Sequence, residues 1–480
     1  WIITDTCIIL VLPEILYRWY DGRISKELRQ IIFRRISIVM NVLQIEQKYR
    51  QAYETMDETV KKRVSEKRYT AMGYTSNLDI LCDFQVERLN ELLAKYLPDG
   101  DLSQMEVPEK VHTMEELLQT IVYYCSRGIG GEADIENTKL LEECFSAQYG
   151  MGGTAVQAAL ALAQVGCPSV VHLTDDSKEV CKLLESPYVY TVSEEGELVH
   201  TDGIVQTQDQ EVHCIIQFKK GDVICLGDQK AEIPCSNRLI LTKITVNEYV
   251  PFFKPYFKWV EENAEHVSSN VLSSFNALLD PEVLKEHLDF AEQHVMKYRE
   301  KNPEGIVFFE DAHFHDISVR KLCLETVCSC VDIVSLNEEE LKYTLKEMYD
   351  FDIDISDIIS CVEGAKFIRE KFGIRKGIII HTKDYSMYVG EKLKADIEKG
   401  LMYGNMLATA KAQNGSYGTK EQIGEVLTFE LSPKGIENYS KVIESKYADE
   451  VTLVPSKYID KPKYTIGLGD SFLGGVQMCF

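Results

Sequence analysis

Ile306-Val307-Phe308-Phe309-Glu310, a helical period over 316–327, Ile333-Val334-Ser335, helical periods over 337–348 and 357–372, then Gly377-Ile378-Ile379-Ile380-His381: this stretch decides the fold. Each short run is continuously apolar rather than alternating. Such runs suit strands buried on both faces of a parallel sheet, with the intervening helices as crossovers. An upstream run at 271–274 and a helix over 281–300 extend the pattern. The reading is α/β, a doubly wound core sheet flanked by helices.

Working outward, residues 187–245 change character. Alternating runs at 188–192, 213–218 and 223–226 are broken by Glu195-Gly196, Lys220-Gly221 and Gly227-Asp228, a hairpin pattern that predicts a smaller, mostly β lid. Residues 1–68 predict a charged helical extension, 69–186 the first part of the core with some lid elements, and 246–480 the rest of the core. Ile31, Ile36, Ile38, Val42 and Ile45 recur at helical spacing in the extension, which serves either packing on the core or an oligomer; the oligomeric state stays open. The start at Trp1 without Met implies a fragment or a processed start. The apolar run 7–12 is too short to cross a bilayer and lacks the basic flank of a signal peptide.

Of the 480 residues, 45% are hydrophobic, enough for a packed core, and the net charge is -24. That charge disfavours nucleic acid and anionic membranes as partners, but not a small ligand. The 14 cysteines show no paired C-x-x-C spacing and read as thiols in a reducing cytoplasm, with metal binding as the alternative.

Two motifs carry chemistry. In Gly467-Leu468-Gly469-Asp470, two glycines allow close backbone approach, and the helix start that follows offers N–H groups to a phosphoryl group. Asp470 is placed either as a helix N-cap or as the base for an attacking hydroxyl. In Leu336-Asn337-Glu338-Glu339-Glu340-Leu341, Asn337 and Glu340 share one side of a helix start. Their oxygens suit Mg²⁺, or equally a cap with acids complementing the helix dipole. Glu310, at the end of an apolar strand, stands where open α/β sheets bind ligands.

N-x-x-E followed far downstream by G-x-G-D resembles the ribokinase superfamily. The surrounding segments resemble its ADP-dependent glucokinase and phosphofructokinase branch: Gly73-Tyr74-Thr75-Ser76-Asn77-Leu78-Asp79, Gly152-Gly153-Thr154-Ala155, Asn237-Arg238-Leu239-Ile240 and His381-Thr382-Lys383-Asp384-Tyr385 occur in the family's order over about four fifths of the chain. The resemblance implies a ribokinase-like core with a lid and transfer of a phosphoryl group from ADP to a sugar hydroxyl. It implies Asp470 as base with Gly467 and Gly469 around the transferring group, and Arg238 on phosphate. Asn77, Asp79, Glu132, Gly152 and Gly153 would hold the sugar, and His381, Lys383 and Tyr385 the nucleotide. Mg²⁺ would be held by Glu310, Asn337 and Glu340. Phe308 stands where the family often has His, and Thr154 where it usually has Gln.

A sugar phosphate would call for clustered cations, yet Lys95, Lys110, Arg127 and Lys139 are scattered through 68–160. The expectation is therefore a neutral hexose such as glucose rather than fructose 6-phosphate. The alternatives are an ATP-dependent ribokinase-like carbohydrate or nucleoside kinase, and a degenerate protein that only binds sugar or nucleotide.

Overall fold

The computed structural model describes residues 26–206, 210–314, 316–459, 461–463 and 466–480. The apolar run 7–12 and the charged residues Arg18 and Arg23 lie outside them.

Ten strands form the large sheet, in the order Val451–Pro455, Tyr385–Gly390, Gly377–His381, Ile333–Asn337, Ile306–Glu310, Val267–Leu272, Tyr69–Met72, Ser169–Val171, Val189–Val192 and Leu198–Val199. From Gly377–His381 to Val189–Val192 every neighbour is parallel, and the antiparallel strands lie at the two edges. Ile306–Glu310 is buried at every position. Its two faces feed two apolar clusters, Phe308 into one and Phe309 into the other. The expected crossover helices are present as Ile317–Cys330, Glu338–Tyr349 and Ile358–Phe372.

The strand expected at 271–274 runs instead over Val267–Leu272. Ser268, Ser269 and Asn270 follow Val267 in it, polar side chains that are buried here. Asn270 is paired with His294 at 3.0 Å, and such pairing is what lets polar groups enter a core.

The six-stranded small sheet has the order Lys110–Val111, Gly131–Ile135, Asn237–Lys243, Val212–Phe218, Asn77–Cys82 and Ala147–Gly152. One expectation for residues 187–245 needs correction: the strands at 189–192 and 198–199 join the large sheet. The segment 69–186 supplies four of the six small-sheet strands, all before residue 153. A period of two identifies a strand but not the sheet it joins.

Alternation gives the small sheet two unlike faces. Leu78, Ile80, Ala133, Val212, Cys214, Ile216, Leu239 and Leu241 are buried on one face. Paired registers place Asn77, Asp79, Glu132, His213, Arg238 and Thr242 together on the other.

From about residue 45 onward the extension is docked on the core. Tyr49 is fully buried and donates to the Pro455 carbonyl at 2.8 Å. Glu46 pairs with the buried Lys457 at 2.6 Å, and Lys48 with Glu398 at 2.7 Å. Behind the strand Ser169–Val171, His172 is held neutral. Its Nδ1 lies 2.7 Å from the Tyr74 carbonyl and its Nε2 accepts from the Phe253 N–H at 2.9 Å. Burial pushes its pKa down to about 4. A histidine depressed in the fold contributes stability that is full above its unfolded value and is lost as pH falls through the folded one. About 3 kcal/mol should therefore disappear between roughly pH 6.5 and 4. Urea unfolding at several pH values checks this: His172→Gln should flatten the slope by about one proton, and a slope equal to the parent's would contradict it.

Candidate active site

The C-terminal ends of the parallel strands converge on one cleft, where this sheet architecture gathers ligands. Glu310, Asn337 and His381 end three neighbouring strands. Asn337 pairs with His381 in register, and Glu310 with Ser335. His381 Nε2 lies 3.2 Å from Glu310 Oε1, while the buried Glu310 Oε2 has no hydrogen-bond partner.

Asn337 caps the helix Glu338–Tyr349. Its Oδ1 accepts from the Glu339 and Glu340 N–H groups, each at 2.9 Å, and Glu340 Oε2 accepts from the Asn337 N–H at 2.9 Å. The capping role is thus present in full, with Asn337 also on the cavity wall. Burial and the nearby Asp311 carboxylate push Glu340 up to about 7, with Glu310 adding to the rise. Burial likewise raises Glu310, against the pull of His381. His381 shows the reverse balance: burial would lower it, but Glu310, Glu340 and Glu338 hold it above its ordinary value.

Crowded carboxylates that raise one another, one with an orphaned buried oxygen, are what a divalent cation would neutralise. Among the described residues no three His, Cys, Asp or Glu side chains converge on a metal-sized site.

Beside this cluster lies a cavity of about 510 Å³, lined by Asn337, Glu338, His381, Thr382, Lys383, Asn405, Gly469 and Phe472 among others. His381 and Lys383 stand on it as expected. Tyr385 does not line it. Its ring is buried in the apolar core near Cys361, because the turn at 382–384 ends in a strand whose first side chain faces inward.

Asp470 opens the helix Leu468–Gln477, whose N-cap is Gly467 at φ 66°. That left-handed geometry favours glycine. Burial pushes Asp470 up to about 6. The Lys411 ammonium and the Thr154 hydroxyl pull it down, while Glu310 and Asp79 push it up. Gly469 passes close to His381, since a Cβ there would lie 3.3 Å from its Cε1.

On the small-sheet side Asn77 Nδ2 donates to Asp79 Oδ1 at 2.8 Å. Gly152 pairs with Asn77 in register, and Gly153 follows at φ 96° with the Thr75 carbonyl against it. His213 pairs with Asp79 in register, with Nδ1 3.9 Å from Oδ1, and its Nε2 is 3.8 Å from Glu211. Burial would lower His213, but Glu211, Asp79 and Glu132 together raise it.

Glu132 is exposed on this same face, level with Ile240. Arg238 shares the face but is exposed and stands four residues from Thr242, which is level with His213. That is about 13 Å along the strand, so the structure does not bring Arg238 into the cluster around Asp470. Phe308 is fully buried and 6.5 Å from the Phe480 ring, away from the cleft.

Residues 68–474 match the conserved region described as ADP-specific Phosphofructokinase/Glucokinase. The chain belongs to this family. It is 25% identical over 448 residues to an ADP-dependent glucose/glucosamine kinase of Pyrococcus abyssi, covering 88% of this chain and 96% of the relative. To an ADP-specific phosphofructokinase of Pyrococcus horikoshii it is 23% identical over 446 residues, covering 86% and 97%. The last common ancestor of ADP-dependent phosphofructokinases from Methanosarcinales shares the fold with a TM-score of 0.75 at 20% identity, over 91% of this chain and 98% of that one. By family, then, the protein is an ADP-dependent sugar phosphotransferase.

Side chains that the sequence did not single out complete the cleft. Lys411 and Gln157 lie under the Gly467 turn, and His213 and Glu211 lie beside Asp79. His213 had a faint signal, a polar residue alternating with Gln217 on one side of the strand Val212–Phe218. Lys411 is one cation in a run of small residues, Ala408-Thr409-Ala410-Lys411-Ala412, and nothing in that run marks it as buried.

Proposed function

We propose that the protein transfers the terminal phosphoryl group of ADP to a hydroxyl of an unphosphorylated hexose or amino hexose, with Asp470 taking the proton. One observation carries this reading. Asp470 lies in the first turn of a helix capped by Gly467, within electrostatic reach of both the strand-end Glu310 and the Asp79 of the small sheet, and burial pushes its pKa up to about 6. A base with that pKa is ionised at neutral pH yet close enough to it to accept a proton well.

The choice of acceptor rests on charge. Asp79, Glu132 and Asp134 share the open face of the small sheet with His213, with Glu211 close by; of the cations on that face, Arg238 stands four residues from the His213 level and Lys110 is paired with Glu136. Carboxylates accept from sugar hydroxyls and would attract an ammonium, but they repel a phosphate dianion. The similarity to a relative named for glucose and glucosamine supports the same choice. Asn77, Asp79, Glu132, Gly152 and Gly153 then form the sugar side, and His381 and Lys383 the nucleotide side. The N–H groups of 467–470 face the transferring oxygens. Arg238 reaches phosphate only if the small sheet closes over the cleft.

Mg²⁺ would be held by Glu310, Asn337 and Glu340 through waters, and would neutralise the phosphates during transfer. Glu340→Gln should raise the Mg²⁺ concentration for half-maximal rate several-fold. An Mg²⁺ titration superimposable on the parent's would leave Glu340 as a helix cap alone. The described cysteines are all free thiols, which supports a reducing, cytoplasmic setting. No helix among the described residues is long and apolar enough to cross a membrane.

A panel assay tests the reading: purified protein with Mg²⁺, ADP or ATP, each against glucose, glucosamine and fructose 6-phosphate. Fastest turnover is expected with ADP and a neutral or amino hexose. Faster turnover of fructose 6-phosphate would overturn the acceptor, and faster turnover with ATP the donor.

A further inference from the structure

Lys411 is 4% exposed, an unusual place for an ammonium. It sits in the last turn of the helix Ile397–Asn414. Its Nζ donates to Gln157 Oε1 at 2.8 Å and to the Gly467 carbonyl at 3.3 Å, and lies 4.2 Å from the centre of the Tyr417 ring. Gln157 belongs to the helix Thr154–Gln164, which starts at the Gly152-Gly153 pair. The ammonium thus joins three segments: its own helix, the helix behind the sugar strand, and the turn that carries Asp470.

Gly467 is shaped around this junction. A Cβ there would lie 2.0 Å from Gln157 Oε1 and 2.5 Å from Lys411 Nζ. The G-x-G-D turn accordingly makes two demands on its first glycine, the left-handed backbone and the room taken by the ammonium.

The charges around Lys411 are also specific. Asp470, from the helix Leu468–Gln477, and Asp79, from the strand Asn77–Cys82, are two carboxylates that act on it, and Gln157 and Tyr417 face it as neutral groups. Burial brings the ammonium down to about 8, against the pull of those two acids. Asp470 in turn feels Lys411, Glu310, Asp79 and the Thr154 hydroxyl. Of these four only Lys411 is a cation.

We propose that Lys411 is a positioning residue for phosphoryl transfer, fixing the turn that carries Asp470 by holding the Gly467 carbonyl against Gln157. This rests on the reading of Asp470 as base. The ammonium acts through Asp470 and the turn and touches neither substrate. Opposite charges in a partly desolvated site favour each other's charged forms. Removing the cation leaves burial, Glu310 and Asp79 to drive protonation of the base.

The experiment is turnover against pH from 5 to 9, with saturating ADP, Mg²⁺ and hexose, for the parent, Lys411→Met and Lys411→Arg. The parent should show an acid limb near pH 6. Lys411→Met should move that limb upward by about one pH unit, so its deficit is larger at pH 6.5 than at pH 8. Lys411→Arg keeps the charge and should hold the limb near the parent's. A Lys411→Met limb at the parent's pH, with turnover lowered equally throughout, would mean only structural support and would overturn the proposal. A parent without an acid limb, together with an active Asp470→Asn, would instead remove the reading of Asp470 and this proposal with it.

If Lys411→Met does not fold, the coupling is measured from the other side. Nitrogen NMR of the buried lysine in the parent and in Asp470→Asn should show its pKa falling when the carboxylate is removed, since linkage is reciprocal. Equal values in the two proteins would overturn the proposal.

Discussion

Asp470→Asn is expected to lower turnover about a hundredfold or more, while the Michaelis constants for hexose and ADP change less than about threefold. The amide keeps the shape of the carboxylate and its place in the first turn of the helix Leu468–Gln477. The backbone N–H groups and the Gly467 geometry are untouched, so the anion site survives. Only the group that accepts the proton is lost. The balance at Asp470 explains why the loss should be large. Burial, Glu310 and Asp79 push its pKa up to about 6 against Lys411 and Thr154. A carboxylate left near 4 would be a weaker base, and one pushed well above 7 would be mostly protonated at neutral pH. Steady-state rates at pH 7 to 8 with saturating substrates decide the matter. Turnover within about threefold of the parent would take Asp470 out of the chemistry.

The same balance shows what a sequence exposes and what it hides. Residues 306–310, 333–337 and 377–381 are legible because central parallel strands bury both faces and must be continuously apolar. The G-x-G-D turn is legible because its glycine is required by backbone geometry that any reader can name. The charge balance is not, because it depends on partners distant in the chain. Lys411 and Gln157 are 254 positions apart and meet only when two helices pack on the helix that carries Asp470. Val267–Leu272 begins ahead of the apolar run at 271–274 because its serines and Asn270 find partners inside the core, which composition cannot show. The family resemblance puts Tyr385 at the nucleotide, in the same segment as His381. Strand parity, set by the pairing of Tyr385 with Pro455, turns it into the core instead. Motif order puts Arg238 at the phosphates, whereas the register of its strand sets it four residues from the level of His213. Order along the chain locates a segment in the fold, but register and parity decide which of its side chains reach the cleft.

Register also makes the other large prediction. Gly152 lies opposite Asn77, and a Cβ on Gly152 would fall 2.0 Å from Asn77 Nδ2 and 2.3 Å from Asp79 Oδ1. No atoms fit at those distances, so in Gly152→Ala the Asn77–Asp79 pair must move. Both side chains are short and held by their strand, so the adjustment breaks their 2.8 Å hydrogen bond and turns Asp79 from its present direction. Displacing a positioning group by about 1 Å costs on the order of a hundredfold in catalytic efficiency. Gly152→Ala should therefore lower kcat/KM for the hexose by about a hundredfold, chiefly through KM, and leave the KM for ADP nearly unchanged. Gly150 supplies the control. It pairs with Asp79 on the same strand, yet a Cβ there meets nothing closer than Leu81 Cδ1 at 3.7 Å. Gly150→Ala should keep kcat/KM within about threefold of the parent. If both variants behave alike, whether active or impaired, the Asn77–Asp79 pair is not the sugar's anchor. If Gly152→Ala alone fails, and fails on the hexose, the anchor lies where the register puts it.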